Sequence, residues 1–244
     1  MKKYSYPKTP FSKRKTKKIE QFKVIGERCS GTDYAQRLIE HNLKIPHTDE
    51  YGHKHFWGSK VYPKNLLLVC VVREPYSWLQ SFYEKKWHLP EHLHKLDFNT
   101  FIQSEMYSVK DQSIPSIAGE IGSEILADRS HITRGRFKNI FELRHAKMTF
   151  LFHEFPSICS NMIIVRLEDL QEDFNYVLDT ISNEFGISKK LHPYENLLHY
   201  KGNPTLPIYE KKKLKINKEE IEKIDENINE TWERVLNYPL RKDW

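Results

Sequence analysis

Cysteine is scarce and scattered: Cys29, Cys70 and Cys159 are the only three in 244 residues, and no two form a CxxC pair. That spacing argues against a disulfide framework or a cysteine-built zinc site, so a reducing compartment, the cytoplasm, is expected. Long hydrophobic runs are also missing. The longest, Asn65–Val72 and Asn161–Val165, are far too short to cross a bilayer. No apolar stretch follows the basic start MKKYSYPKTPFSKRK, which therefore does not read as a secretory signal. There is no internal repeat and no low-complexity tract. With 13% aromatic residues, 9 glycines and 12 prolines, the chain is not composed like a disordered one.

Charge is present but unevenly placed. Eight basic residues (Lys2, Lys3, Lys8, Lys13, Arg14, Lys15, Lys17 and Lys18) precede the first acid, Glu20. The whole chain carries only +6, so everything from Glu20 onward is slightly acidic. The basic character belongs to a leader, read as a disordered tail over 1–20 that could touch an anionic surface. A folded body is expected over 21–244. Because that body is acidic, the chain does not read as a nucleic-acid-binding domain.

The body alternates strands and helices. Phe22–Gly26 reads as a short strand ending on glycine, and a helical stripe through Tyr34, Leu38 and Ile39 follows. His53–Trp57 (HKHFW) alternates weakly and is expected to be a second strand. Leu66–Val72 is continuously apolar, as in a central parallel strand buried on both faces. Pro75 then fits the first turn of a helix over Tyr76–Trp87. Phe141–Phe155 is helical in spacing and Asn161–Arg166 is another buried strand. The amphipathic helix Phe174–Phe185 stops at Gly186. Asn217 and Glu220 form a capping-box pair at the start of a terminal helix running through Trp232 to Val235. Such alternation predicts a three-layer α/β domain, a central and mostly parallel sheet flanked by helices.

Two strand–helix junctions carry chemistry. Gly26-Glu27-Arg28-Cys29-Ser30-Gly31-Thr32-Asp33 turns from strand to helix, aiming backbone N–H groups and a helix N-terminus at one point, a geometry that favours phosphate. Its glycines have Walker A spacing. However, Thr32 stands where an ATP or GTP hydrolase has its lysine, and Asp33 where it has its metal-binding hydroxyl. A P-loop kinase is thereby disfavoured. At the second junction Arg73 leaves its strand at the carboxyl edge of the sheet, and Ser81 lies eight residues on, about two helical turns later. Both could face one phosphate.

The segments GERCSGT and VVREPYSWLQSFY resemble the two nucleotide-binding segments of the PAPS-dependent sulfotransferases, members of the P-loop superfamily. Val165-Arg166-Leu167-Glu168-Asp169-Leu170 with its following helix resembles a third segment of that family, and Trp232 with Tyr238-Pro239 its usual ending. The resemblance implies a P-loop-like fold and transfer of a sulfuryl group from 3′-phosphoadenylyl sulfate (PAPS) to a hydroxyl or amine; the composition around residues 89–140 makes a carbohydrate one candidate acceptor. It implies that Arg28, Cys29, Ser30, Gly31, Thr32 and Asp33 hold the phosphosulfate, that Arg73 and Ser81 hold the 3′-phosphate, and that no metal is needed. The family's loop lysine is replaced by Cys29, with Arg28 beside it as the available cation. A non-catalytic nucleotide-binding protein therefore stays open as the alternative. By the same resemblance Lys54 and His55 sit at the acceptor side, with His55 as base and His88 in reserve. Cys29 as a low-pKa nucleophile is disfavoured. Residues 89–140 match no motif; Trp87, His88 and Arg134–Arg136 are read as a polar lining for the acceptor.

Overall fold

The computed structural model describes residues 11–15, 18–56 and 61–241. Four strands form one mixed sheet: β1 (Phe11–Arg14), β2 (Gln21–Gly26), β3 (Leu66–Val72) and β4 (Asn161–Arg166), in the order β1-β4-β3-β2. β2, β3 and β4 are mutually parallel, and β1 lies antiparallel on β4. The helices are α1 (Thr32–Asn42), α2 (Pro75–Lys85), α3 (Glu91–His94), α4 (Phe98–Gln103), α5 (Ile140–Thr149), α6 (Phe155–Ile158), α7 (Leu167–Glu172), α8 (Phe174–Phe185), α9 (Lys218–Asn227) and α10 (Glu230–Val235). A π-helical stretch, Phe150–Glu154, joins α5 to α6. Among the described residues, no helix is long and apolar enough to cross a membrane.

Strand periodicity explains how the sheet is covered, since alternate side chains point to opposite faces. Val24, Val69, Val71, Ile163 and Val165 pack against Leu38 and Ile39 of α1, and against Leu178 and Ile181 of α8. On the other face, Ile25, Leu68, Cys70, Met162 and Ile164 meet Met148, Leu151, Phe155 and Tyr238. All seven residues of β3 are buried, as its unbroken apolar run requires. The local signals hold in detail. Pro75 opens α2, Gly186 ends α8 at φ 67°, and Asn217 and Glu220 cap α9 reciprocally.

Three expectations are corrected. The leader is expected to be disordered through residue 20, yet residues 11–14 form β1. There Arg14 donates to the Glu184 carbonyl at 2.6 Å and Lys13 reaches the Pro156 carbonyl. These two cations are engaged with the fold; Lys2, Lys3, Lys8 and Lys17 lie outside the described residues. The strand expected at His53–Trp57 is a turn, with Trp57 outside the described residues. Tyr51 and Gly52 take left-handed backbone before it, and the Phe56 N–H closes onto the His53 carbonyl at 3.2 Å. The chain touches β2 near His47 and again at Lys54, whose carbonyl accepts from the Gly26 N–H at 3.0 Å. The terminal helix is two helices, because Ile228 is extended and Asn229 caps a new start, accepting from the Thr231 N–H.

Behind the first junction lies a buried ionic group. The Arg144 guanidinium from α5 donates to both carboxylate oxygens of Glu233 at 2.6 and 2.8 Å, to Glu27 at 2.9 Å and to the Arg73 carbonyl at 2.9 Å. It also lies over the Trp78 ring, 4.8 Å from its centre. Replacing Arg144 with methionine strands two buried carboxylates. A loss of about 3–5 kcal/mol is expected in urea denaturation. Lysine should recover little, since one ammonium nitrogen cannot reproduce the planar fork that reaches four acceptor oxygens at once; a midpoint unchanged by either substitution would contradict the arrangement.

Candidate functional site

A cleft of about 580 Å³ opens at the carboxyl edge of the sheet, where β2 and β3 hand over to α1 and α2. Its floor is the loop between β2 and α1. Gly26 is required there by close approach, since a Cβ would stand 2.5 Å from the Val71 carbonyl oxygen. Gly31 is the N-cap of α1 at φ 93°, a left-handed conformation that favours glycine, and no side chain caps this helix end. The first N–H groups of α1 accordingly have no partner within the helix. Cys29 also takes left-handed backbone, at φ 66°.

Of the site residues expected from sequence, Arg28, Cys29, Gly31, Thr32, Asp33, Lys54, His55, Arg73 and Ser81 all line the cleft. Ser30 does not. It is fully buried, and its hydroxyl donates to the Glu27 carbonyl at 2.7 Å, so it shapes the loop. Arg28 borders the cleft but is engaged elsewhere. Only 4% exposed, it donates to the Trp87 carbonyl at 2.8 Å, faces Asp128 at 3.5 Å and lies over the Phe82 ring. Cys29 is no thiolate: burial pushes its pKa up, and its S–H points at the Ser81 carbonyl, 3.6 Å away.

Arg73 spans the two junctions, donating through Nη1 to the Cys29 carbonyl at 3.0 Å and through Nε to the Ser77 hydroxyl at 3.3 Å. Among the described residues its Nη2 has no partner. Ser81 follows on α2 and shares with Arg73 both this cleft and a smaller adjoining cavity of about 260 Å³. The third segment is structural. Arg166 is forked onto Asp169 at 2.6 and 2.8 Å. Glu168 accepts from the Glu74 N–H at 3.1 Å and from the Tyr238 hydroxyl at 2.7 Å.

The turn at residues 53–56 brings Lys54 and His55 to the cleft together, which a regular strand would forbid. The Lys54 ammonium meets one oxygen of Asp33, and Lys201 meets the other at 3.2 Å. Burial alone would raise the Asp33 carboxyl, but the two lysines outweigh it and hold the pKa at about 2. The His55 Nδ1 lies 2.8 Å from the Gly26 carbonyl oxygen, which can only accept, so the proton sits on Nδ1 and Nε2 is the lone-pair nitrogen. Burial, followed by Lys54, drives its pKa well below the ordinary imidazole value. His88 is fixed in the same tautomer by Asp111, 2.7 Å from its Nδ1. His53 lies between them, 5.3 Å from the His55 ring and 6.1 Å from that of His88. Three neutral imidazoles thus line one wall.

The rim opposite comes from residues 196–212, which sequence reasoning did not single out. Lys201, Tyr200, Tyr209, Lys211 and Lys212 reach the cleft from there. Their only sequence signal is the run Tyr209-Glu-Lys-Lys-Lys213, which reads equally well as a solvated loop. Residues 89–140 supply only Ser113 and Ile114 to the lining. Arg136 is tied to Glu124 and Glu105 and stacks on Tyr107, away from the cleft, while Trp87 and His88 do line it. Among the described residues, no group of three His, Cys, Asp or Glu side chains is placed to hold a metal ion. Compared with protein-family models, curated proteins and solved structures, the chain matches none.

The wall of neutral imidazoles has a signature in stability. Burial, reinforced by His88 and Lys54, lowers His53 to about 4. Between the unfolded value near 6.5 and about 4, the unfolded chain takes up a proton that the native state refuses, so this contribution weakens the fold as pH falls. Glu27 acts in the opposite sense: burial holds it at about 7, and its contribution weakens the fold as pH rises from about 4.5 to 7. Comparing the protein with His53→Gln isolates the first. Urea midpoints at about pH 7 and about pH 4.5 should show the variant gaining relative to the unmodified protein at the lower pH. Parallel changes would contradict the burial of His53.

Proposed function

We propose that the protein is a sulfotransferase of P-loop-like, three-layer architecture that moves a sulfuryl group from PAPS to an acceptor hydroxyl or amine. One observation carries this reading: an uncapped helix N-terminus and the Arg73–Ser81 pair open into one cleft, with Lys54 and an Nε2-available histidine on its wall. The backbone N–H groups of Gly31, Thr32 and Asp33 are assigned to the phosphosulfate and the free edge of Arg73 with the Ser81 hydroxyl to the 3′-phosphate. From sequence, Arg28 is the expected cation for the bridging oxygen. Its engagement with Asp128 and the Trp87 carbonyl moves that role to Lys54.

His55 Nε2 takes the acceptor proton as the acceptor oxygen or nitrogen bonds to sulfur. The bond from sulfur to the bridging oxygen breaks, and adenosine 3′,5′-bisphosphate leaves with the electron pair. Charge on the transferring group falls to the N–H groups of the loop and to Lys54. A neutral histidine is suited to this step because it is unprotonated before the acceptor arrives.

The second reading, nucleotide binding without transfer, has one observation in its favour. The loop position that the family fills with lysine holds Cys29, a protonated thiol carrying no charge to the bridging oxygen.

Adenosine 3′,5′-bisphosphate should raise the melting temperature of the protein, and Ser81→Ala and Arg73→Ala should each reduce that shift. An equal shift in all three would remove the 3′-phosphate assignment. With labelled PAPS and a panel of hydroxyl, amine and carbohydrate acceptors, His55→Gln should cut transfer about 10²–10⁴-fold while the bisphosphate still binds. Binding with no transfer to any acceptor would leave the second reading.

A further inference from the structure

Asp33 is the second residue of α1, at the helix end that lines the cleft. An acidic side chain at such a position ordinarily turns to the helix N–H groups. Here no side chain caps the end, and the carboxylate is directed across the cleft mouth to Lys54 and, at 3.2 Å, to Lys201. Lys54 comes from the turn beside β2, whereas Lys201 comes from a 3₁₀ turn, Tyr200–Gly202, on the opposite rim. One carboxylate thus joins loop, wall and rim. Lys201 itself holds left-handed backbone at φ 57°. The rim does not depend on this ion pair for its place, because Tyr34 of α1 donates to Asn196 at 2.8 Å and Gly202 rests on Arg37.

We propose that Asp33 is a resident anion, an internal stand-in for the phosphosulfate or phosphate group of the ligand, which must displace it from Lys54 and Lys201. The carboxylate occupies the same electrostatic niche that an incoming anion would use, namely two ammoniums beside the positive end of α1. The two anions compete for the lysines, since like charges brought to that separation repel. Asp33 therefore sets the cleft's affinity for anions. It offsets part of the positive charge that Lys54 and Lys201 bring to the cleft and makes their release the first event of binding. The naming of the ligand as a nucleotide rests on the reading above; the displacement rests on the ion pairs alone.

Calorimetric titration with two probes separates the two. Adenosine 3′,5′-bisphosphate and inorganic pyrophosphate are titrated into the unmodified protein, Asp33→Asn, and Asp33→Asn combined with Lys201→Met. Asp33→Asn should bind pyrophosphate at least about tenfold more tightly at low salt, with the gain shrinking as salt is added and largely reversed by Lys201→Met. Asp33→Ser serves as the second variant should asparagine fail to give cooperative unfolding. Equal or weaker pyrophosphate binding by a cooperatively folded variant overturns the inference, whatever the bisphosphate does. Tighter pyrophosphate binding, with no binding of the bisphosphate to any of the proteins, upholds the displacement and overturns the nucleotide reading instead.

Discussion

Arg144 is 1% exposed and is the point at which the two junctions of the cleft are tied together. Its fork takes Glu27 from the loop, the Arg73 carbonyl from the end of β3 and Glu233 from α10. Taking such charges out of water is costly, and a buried ion group is a poor source of net stability. What it determines is position, because three elements remote in sequence must meet one planar fork. Glu27 shows the cost directly. Among the described residues one of its carboxylate oxygens is buried without a hydrogen-bond partner, and burial lifts its pKa to about 7 despite the arginine alongside. The loop is also held from α2, where the Trp78 ring lies against Arg144 and its indole N–H donates to the Arg28 carbonyl at 2.9 Å. Residues 27 and 28 are thus fixed by their side chains and carbonyls on the interior side, while Gly31, Thr32 and Asp33 at the start of α1 line the cleft.

Cations are abundant around the cleft, yet most of them are paired. Lys54 and Lys201 share Asp33, Lys211 faces Glu172, and Lys212 meets Glu84. The histidines add no charge at neutral pH, because burial keeps all three below the ordinary imidazole value. Arg73 differs, since its fork is only partly used, by the Cys29 carbonyl and the Ser77 hydroxyl. An anion entering this cleft therefore gains from Arg73, Lys85 and the helix end directly, and from Lys54, Lys201, Lys211 and Lys212 only by exchange. Such exchange favours ligands with more than one anionic group, because one must reward the other's displacement of Asp33.

The features legible in the sequence are those decided locally. Leu66–Val72 had to be a buried strand, Pro75 had to open a helix and Gly186 to end one, because each depends on a few adjacent residues. The two loop segments were legible for the same reason, and the site residues expected on them line one cleft except for Ser30. The failures are nonlocal. β1 carries no apolar alternation, and what makes it a strand is the edge of β4, some 150 residues away in sequence. HKHFW alternates weakly, and Tyr51 and Gly52 with φ above zero turn the chain before a ladder can form. The rim at Tyr200–Lys212 is polar and lacks periodicity, so nothing in its composition distinguishes a cleft wall from a solvated loop.

The middle region, 89–140, contributes to the cleft mostly from behind. Asp128, 2% exposed, accepts from the Ser108 hydroxyl and meets both Arg28 and the Lys147 ammonium. Lys147 in turn donates to the His55 carbonyl at 3.1 Å. One carboxylate thus restrains the loop through Arg28 and the turn bearing His55 through Lys147. Asp111 does the same for His88, accepting from both its ring and its backbone N–H while its other oxygen is held by Ser113. His88 takes a left-handed backbone, φ 58°, that only such restraint sustains in a non-glycine residue. Although few residues of this region line the cleft, its two aspartates help set where the imidazole wall stands, and Asp111 sets the tautomer of His88. A segment with little regular structure can do this because fixing a carboxylate needs a few hydrogen bonds rather than a ladder.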